Sequence, residues 1–153
     1  MSRGCACAVQ IDLDPVDVLS RFWHATGDPG RRTASCTDAD AAALERFRDL
    51  LAGYETVATL FVTGRTLETE RFASVVRSMC REGHEVANHT LDHPADLPAL
   101  GPRAMEEQID ACAAAVERVT GSAPVGFRAP AYRVDGTVLD LLGRRGYVYD
   151  ASM

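Results

Sequence analysis

Two kinds of apolar pattern alternate along the chain. Short, nearly continuous apolar runs are typical of strands buried on both faces, whereas apolar residues that recur every three or four positions predict amphipathic helices. Their alternation favours strand–helix–strand units, with a parallel sheet covered by the connecting helices. The predicted strands are 5–13, 56–63, 85–88, 125–128 and 147–149, and the predicted helices begin at about 38, 67, 104 and 136.

The ends of these helices carry residues that commonly start and stop helices. Asp38 or Asp40 can cap the first helix, and glycines follow the first three at about 53, 83 and 121. The second, third and fourth helices are predicted to run to about 81, 119 and 145. Five strands fit either an open doubly wound sheet or the first part of a βα barrel. A complete barrel needs about 250 residues, so a barrel of 153 residues would be a partial one, in a single domain over residues 1–153.

Composition narrows the classes of protein to consider. Hydrophobic residues make up 46% of the chain and charged residues 25%, which is ordinary for a globular protein. The formal net charge of −6 argues against a nucleic-acid-binding surface. No apolar run approaches the ~18 residues of a membrane span. The apolar stretch in the first ten residues is too short for a signal peptide, and Asp12 and Asp14 follow it at once, so a cytoplasmic protein with reduced thiols is expected.

Polar side chains gather where three predicted strands end. Asp12 and Asp14 end the first strand and point to the same side, because side chains alternate along a strand. His89 and His93 follow the third strand, and one helical turn there would put both imidazoles on one face. Arg128 ends the fourth strand. Two histidines and one carboxylate form the ligand set of many catalytic zinc sites, and the second carboxylate could act as a general base held by the arginine.

Each of these features also has a purely structural interpretation. An Asp-x-Asp pair at a strand end can be a turn or a helix cap, the histidine pair a surface turn, and Arg128 a surface arginine. His84 is expected to be a packed or capping histidine. His24 lies in the long segment after the first strand and could line a cleft. The agreement of three successive strand ends favours the functional interpretation.

Two other classes of enzyme share part of the pattern. Asp12 and Asp14 after an apolar strand are similar to the nucleophile motif of haloacid-dehalogenase-type phosphatases, but that class uses a later lysine and this chain has none. It would also leave His89 and His93 without a role. An iron oxygenase can use two histidines and one carboxylate, although usually on an all-β fold that the strand–helix alternation argues against.

These motifs resemble those of the polysaccharide deacetylase family, also known as the NodB homology domain and carbohydrate esterase family four. The first is Asp12 with Asp14, the second is His-Thr-Leu-Asp-His at 89–93, and the third is Arg-Ala-Pro-Ala-Tyr at 128–132. The flanking segments also resemble the family, so the likeness covers nearly the whole chain. These segments are 58–64, 83–89 and 146–152.

The resemblance implies a partial (β/α) barrel of about five parallel strands and a metal-dependent hydrolase that removes N-acetyl groups from an amino sugar or a related substrate. It implies that Asp14, His89 and His93 bind Zn2+, or Co2+ or Ni2+ with the same ligands. Asp12 would be the base that takes a proton from the attacking water, and Arg128 would pair with it.

The third motif is implied to bind the substrate. The backbone N–H of Ala131 would hold the developing oxyanion, and Pro130 and Tyr132 would line the substrate site. His24 is added as a further candidate for that lining. The expected partner is an N-acetylated sugar or a small amide, with no nucleic acid and no membrane.

Three departures from the family pattern leave alternatives open. Leu13 separates the two aspartates, as in a sub-group that includes peptidoglycan deacetylases and hydrolases of amides or cyclic imides, so a small non-sugar substrate is one alternative. Tyr132 stands one position later than the usual aromatic residue, which would displace that wall of the site. No histidine follows His93, whereas the family's last motif supplies a histidine acid.

General acid catalysis contributes ~10²–10⁴-fold, so we expect a strongly weakened enzyme unless His24 or another subunit compensates. The remaining alternative is a non-catalytic remnant that binds metal or carbohydrate. The open edges of a partial barrel also favour self-association into a homo-oligomer.

Overall fold

Five parallel strands form one sheet in the computed structural model, which describes residues 7–14 and 36–153. Their spatial order is the order of the chain, so each strand pairs with the one before it. This strand order, with an α-helix between each strand and the next, is that of a partial (β/α) barrel and confirms the predicted fold class. The strands are β1 (Val9–Leu13), β2 (Ala58–Val62), β3 (Glu85–Asn88), β4 (Gly126–Phe127) and β5 (Tyr149–Asp150).

Four α-helices lie within the described residues, together with three short 3-10 helices. The α-helices are α1 (Asp38–Gly53), α2 (Glu70–Arg81), α3 (Pro102–Thr120) and α4 (Gly136–Arg144), and the 3-10 helices are Thr66–Glu68, Pro98–Leu100 and Pro130–Tyr132. No helix in the described ranges is both long enough and apolar enough to cross a membrane.

The cap of α1 and the start of α2 differ from the prediction. Thr37 caps α1, not Asp38 or Asp40: its hydroxyl accepts the N–H of Asp40, and the Asp40 carboxylate accepts the N–H of Thr37 in return. This capping box satisfies two N–H groups at once, which neither aspartate alone does. The predicted helix 67–81 is interrupted because Thr69 is extended, so a 3-10 turn precedes α2.

The two faces of the sheet differ sharply in character. One face packs against the helices through side chains such as Leu60, Val62 and Phe127, which are fully buried. Since side chains alternate along a strand, the intervening positions lie on the opposite face. Asp12 and Arg128 lie on that face, close to the carboxyl ends of the strands, and their side chains bond to each other.

Candidate metal and catalytic site

Asp14, His89 and His93 meet at the carboxyl end of the sheet. Asp14 directly follows β1 and His89 directly follows β3. Asp14 Oδ1 lies 3.6 Å from His89 Nε2, and Asp14 Oδ2 lies 3.4 Å from His93 Nε2. One donor atom from each residue lies within 4.8 Å of the others. Two segments, one after β1 and one after β3, therefore bring one carboxylate and two imidazoles together.

The chemistry of this cluster fits a divalent cation. Asp14 Oδ1 is buried and has no hydrogen-bond partner in the described residues, a costly state for a carboxylate oxygen. His89 Nδ1 lies 2.7 Å from the Arg128 carbonyl oxygen, which can only accept, so Nδ1 carries the hydrogen and Nε2 presents its lone pair. Burial lowers the pKa of His89, against the opposing charge of Asp14, and the neutral ring is the form that binds metals.

The segment between the two histidines is not the helical turn that their spacing would allow. Thr90 and His93 are left-handed, with φ of 67° and 54°. The Thr90 N–H donates to Asn88 Oδ1 and the Leu91 N–H donates to the Gln108 carbonyl. Because the backbone bonds to groups outside the segment, no helix forms. The imidazoles nevertheless meet edge to face, with ring centroids 5.0 Å apart.

Asp12 and Arg128 form a buried ion pair beside this cluster. Arg128 Nη1 donates to Asp12 Oδ1 at 2.7 Å, and their side chains are 9% and 25% exposed. Arg128 Nε donates to the Ala151 carbonyl, its Nη2 donates to Gln10 Oε1, and its guanidinium lies 4.1 Å from the centre of the Phe61 ring. Gln10 was missed from the sequence, although its position two residues before Asp12 puts both on one face of the strand.

The turn after β4 has an unusual backbone. Ala131 and Tyr132 are both left-handed, with φ of 53° and 58°. The hydrogen bonds of the turn come from the N–H groups of Tyr132 and Arg133, so the turn does not use the N–H of Ala131. Pro130 is buried, whereas the Tyr132 ring is 58% exposed and its centre lies 5.6 Å from Arg128 Cζ.

Of the two remaining histidines, His84 is a described residue and is not part of this cluster. His84 is buried and its Nδ1 accepts the N–H of Ala58, so it is the packed histidine that was predicted. His24 lies outside the described residues. Its suggested place in the substrate site stays a prediction.

The sequence matches the family model of polysaccharide deacetylase over residues 27–149. Among curated proteins, it is 33% identical to the peptidoglycan deacetylase-like protein FGM2 of Gibberella zeae, over 99% of this chain and 44% of that protein. It is 28% identical to the peptidoglycan deacetylase of Helicobacter pylori, over 100% of this chain and 51% of that protein.

A solved structure is similar along most of the chain. A Mycobacterium smegmatis protein assigned as a polysaccharide deacetylase superposes with a TM-score of 0.71 at 26% identity, over 94% of this chain and 49% of its own. The chain thus spans about half the length of the relatives it matches.

Proposed function

The chain belongs to the polysaccharide deacetylase family, and from this premise we propose that it is a metal-dependent amide hydrolase that removes N-acetyl groups from an amino sugar. The observation that carries the proposal is the meeting of Asp14, His89 and His93, in which the buried Asp14 Oδ1 has no hydrogen-bond partner among the described residues. The Asp12–Arg128 pair beside it supplies the second carboxylate that hydrolysis needs.

Asp14, His89 and His93 would hold the ion, and we propose Zn2+, since two imidazoles and a carboxylate are a common catalytic zinc set. Co2+ and Ni2+ suit the same ligands. Such an ion would supply Lewis acidity, by polarising a carbonyl and by lowering the pKa of water. The histidine tautomer is already set for this task, because the Arg128 carbonyl holds the hydrogen on Nδ1 of His89.

Asp12 is the proposed general base. Arg128 occupies Asp12 Oδ1, which leaves Oδ2 to take a proton from the attacking water. The water oxygen bonds to the acetyl carbon as its proton passes to Asp12. The C–N bond then breaks as that proton passes from Asp12 to the leaving nitrogen, and the amine and acetate are released. Arg128 acts by fixing the orientation of Asp12 during this transfer.

The turn at residues 130–132 is proposed to hold the acetyl group. Its left-handed backbone leaves the Ala131 N–H outside the turn's own hydrogen bonds, so that it can donate to the oxygen on which negative charge develops. The exposed ring of Tyr132 offers an apolar wall for a sugar ring, beside the buried Pro130. The similarity to a peptidoglycan deacetylase and a peptidoglycan deacetylase-like protein supports an N-acetylated cell-wall glycan as the substrate.

Metal content is the first test. Purified protein is expected to carry near-stoichiometric divalent metal by elemental analysis, and Asp14→Ala and His93→Ala are expected to lose it. His84→Asn is the matched control, because it removes a histidine that bonds only to the backbone within the described residues. Unchanged metal content in both ligand variants would refute the metal site.

Acetate release is the second test. N-acetylated glucosamine oligomers are compared with a small N-acetyl amine and a cyclic imide, with Asp12→Asn as the inactive control that should keep its metal. Release from the oligomers alone supports the sugar substrate, whereas hydrolysis of only the imide would move the function to the small-amide alternative. Bound metal without any hydrolysis would favour a non-catalytic binding protein.

A further inference from the structure

The segment that carries the two histidines is held from outside by two neighbouring elements. On one side, the turn after β2 donates from the N–H of Gly64 to the Thr90 carbonyl at 3.0 Å, and from the N–H of Arg65 to the Leu91 carbonyl at 3.1 Å. On the other side lies α3. Each peptide group that joins residues 89 to 92 thus bonds to a partner outside the segment.

Gln108 on α3 makes the contacts on that second side. Its carbonyl accepts the N–H of Leu91 at 3.0 Å, and its side-chain Oε1 accepts the N–H of Asp92 at 2.8 Å. Its Nε2 donates to Asp92 Oδ2 at 2.9 Å. The side-chain amide of Gln108 therefore bonds to both the backbone and the side chain of Asp92, the residue immediately before His93.

Asp92 is also held from the opposite direction. Arg65 Nε donates to its Oδ1 at 2.6 Å, while Arg65 Nη1 reaches Glu68 at 2.7 Å. The Asp92 carboxylate thus has one oxygen on Arg65 and the other on Gln108. Since the Asp92 side chain is 35% exposed, these bonds, and not burial, fix its position.

This clamp bears on the histidines because the segment lacks regular structure of its own. A left-handed threonine and a left-handed histidine are unfavourable in isolation, so outside contacts must maintain them. The two imidazoles are attached at either end of the clamped segment. A shift of Asp92 therefore changes the distance from His93 Nε2 to Asp14 Oδ2, now 3.4 Å.

We propose that Gln108 is a positioning residue that acts through Asp92 to set the separation of His89 and His93, and thereby the affinity and geometry of the divalent ion they hold. The inference rests on the proposed metal site and adds to it a residue that lies outside all three motifs. Groups that orient ligands from the outer shell typically change metal affinity by roughly 10-fold to 100-fold when removed.

The test exchanges the donor and acceptor between positions 92 and 108. Gln108→Glu brings a second carboxylate against Asp92 Oδ2, and Asp92→Asn brings an amide donor against the Gln108 amide donor. With Arg65 retaining the oxygen of residue 92 as its acceptor, each single variant loses the side-chain bond between the two positions. The double variant restores it with the roles reversed, and it keeps acceptors for the N–H of residue 92 and for Arg65.

Co2+ is the probe, because its visible absorption reports the geometry of its ligands. We expect each single variant to bind Co2+ roughly 10-fold or more weakly than the unchanged chain, with an altered spectrum, and Zn2+ competition to give the same order. The double variant is expected to recover both affinity and spectrum. Glu107→Gln, the exposed neighbour on α3, is the matched control and should change neither.

Melting temperatures of the metal-free proteins separate positioning from stability. A clamp that serves only the stability of α3 would lower these temperatures while leaving the Co2+ spectrum intact, which would overturn the proposal. The proposal would also be overturned if the loss of Co2+ affinity in the double variant equalled the sum of the losses in the two single variants. If the unchanged chain binds no Co2+, the proposed function fails as well, and the two failures are thereby distinguished.

Discussion

Removal of the Arg128 side chain is the strongest single test of how the site is held together. Arg128→Met keeps the length of the apolar stem but removes the donors to Asp12, Gln10 and the Ala151 carbonyl. The guanidinium is 9% exposed, so these acceptors are not simply returned to water. The Phe61 ring also loses the cation above it.

The expected loss of stability follows from burial. Breaking a buried ion pair by removing one partner costs about 3–5 kcal/mol. Because Asp12 is 25% exposed and can regain some water, we take the lower end, about 3 kcal/mol. A chain of this size loses roughly 2–4 °C in melting temperature per kcal/mol, so Arg128→Met should melt roughly 6–12 °C lower.

Thermal and urea unfolding, followed by circular dichroism, measure this effect. Arg128→Lys should have a stability between those of the unchanged chain and Arg128→Met, since lysine keeps the charge but cannot make the three separate contacts of the guanidinium. Arg145→Met is the matched control: Arg145 also pairs with a carboxylate, that of Asp110, but on the surface, and its loss should leave the midpoint nearly unchanged. If Arg128→Met is no less stable than this control, the buried pair does not hold the strand ends together.

Two further predictions concern the packing behind the histidine segment. Burial raises the pKa of Cys112 from its ordinary value of 9.0 to about 12, so at pH 8 the thiol should resist iodoacetamide while the exposed Cys7 reacts, as mass spectrometry of peptides would show. Equal alkylation of both thiols would contradict the assigned burial. As the pH rises, the thiol of Cys112 ionises in the unfolded chain before it does in the folded one, so its contribution to stability, present below pH 9, should decline towards pH 12. Gly64→Ala should cost about 1–3 kcal/mol and weaken Co2+ binding, because the added methyl would lie 2.7 Å from Leu91 Cδ1 and 3.3 Å from Cys112 Cα. Gly53→Ala, with nothing within 4 Å, is its control, and equal stability of the two variants in unfolding experiments would contradict this packing.

The fold was predictable because each buried strand is a compact apolar run and each helix has a regular apolar face. The ends of the strands were less predictable, because a strand ends where its hydrogen bonds to the neighbouring strand end. Residues 125–128 were predicted as a strand and only Gly126–Phe127 is one. Yet the Val125 carbonyl accepts the N–H of Val148, and the Arg128 N–H donates to the Asn88 carbonyl, so the predicted ends do pair with their neighbours.

Part of the candidate site was predictable, because the ends of the strands and the alternation of side chains along a strand can both be read from the sequence. The alternation of side chains along the first strand predicted that Asp12 and Asp14 point to the same side. The parallel sheet predicted that they lie at the same edge as the histidines that follow the third strand. Gln108 carried no such signal, since it lies 16 residues beyond Asp92 on an ordinary helix. Its contact depends on where α3 packs against the sheet, which local sequence does not encode.

The backbone of the two site loops explains why local sequence failed there in particular. Among the described residues other than glycine, five have positive φ, and four of them flank the site: Thr90, His93, Ala131 and Tyr132. None is glycine or asparagine, and the β-branched Thr90 is especially unsuited to this conformation. Each such residue costs on the order of 1–3 kcal/mol and persists only where its surroundings over-determine it. Those surroundings are long-range: Gly64 and Gln108 for the histidine segment, and the Ser152 hydroxyl that accepts the N–H of Ala129 for the turn. The geometry of the site is therefore a property of the assembled sheet and helices, and it should be lost together with them and not before.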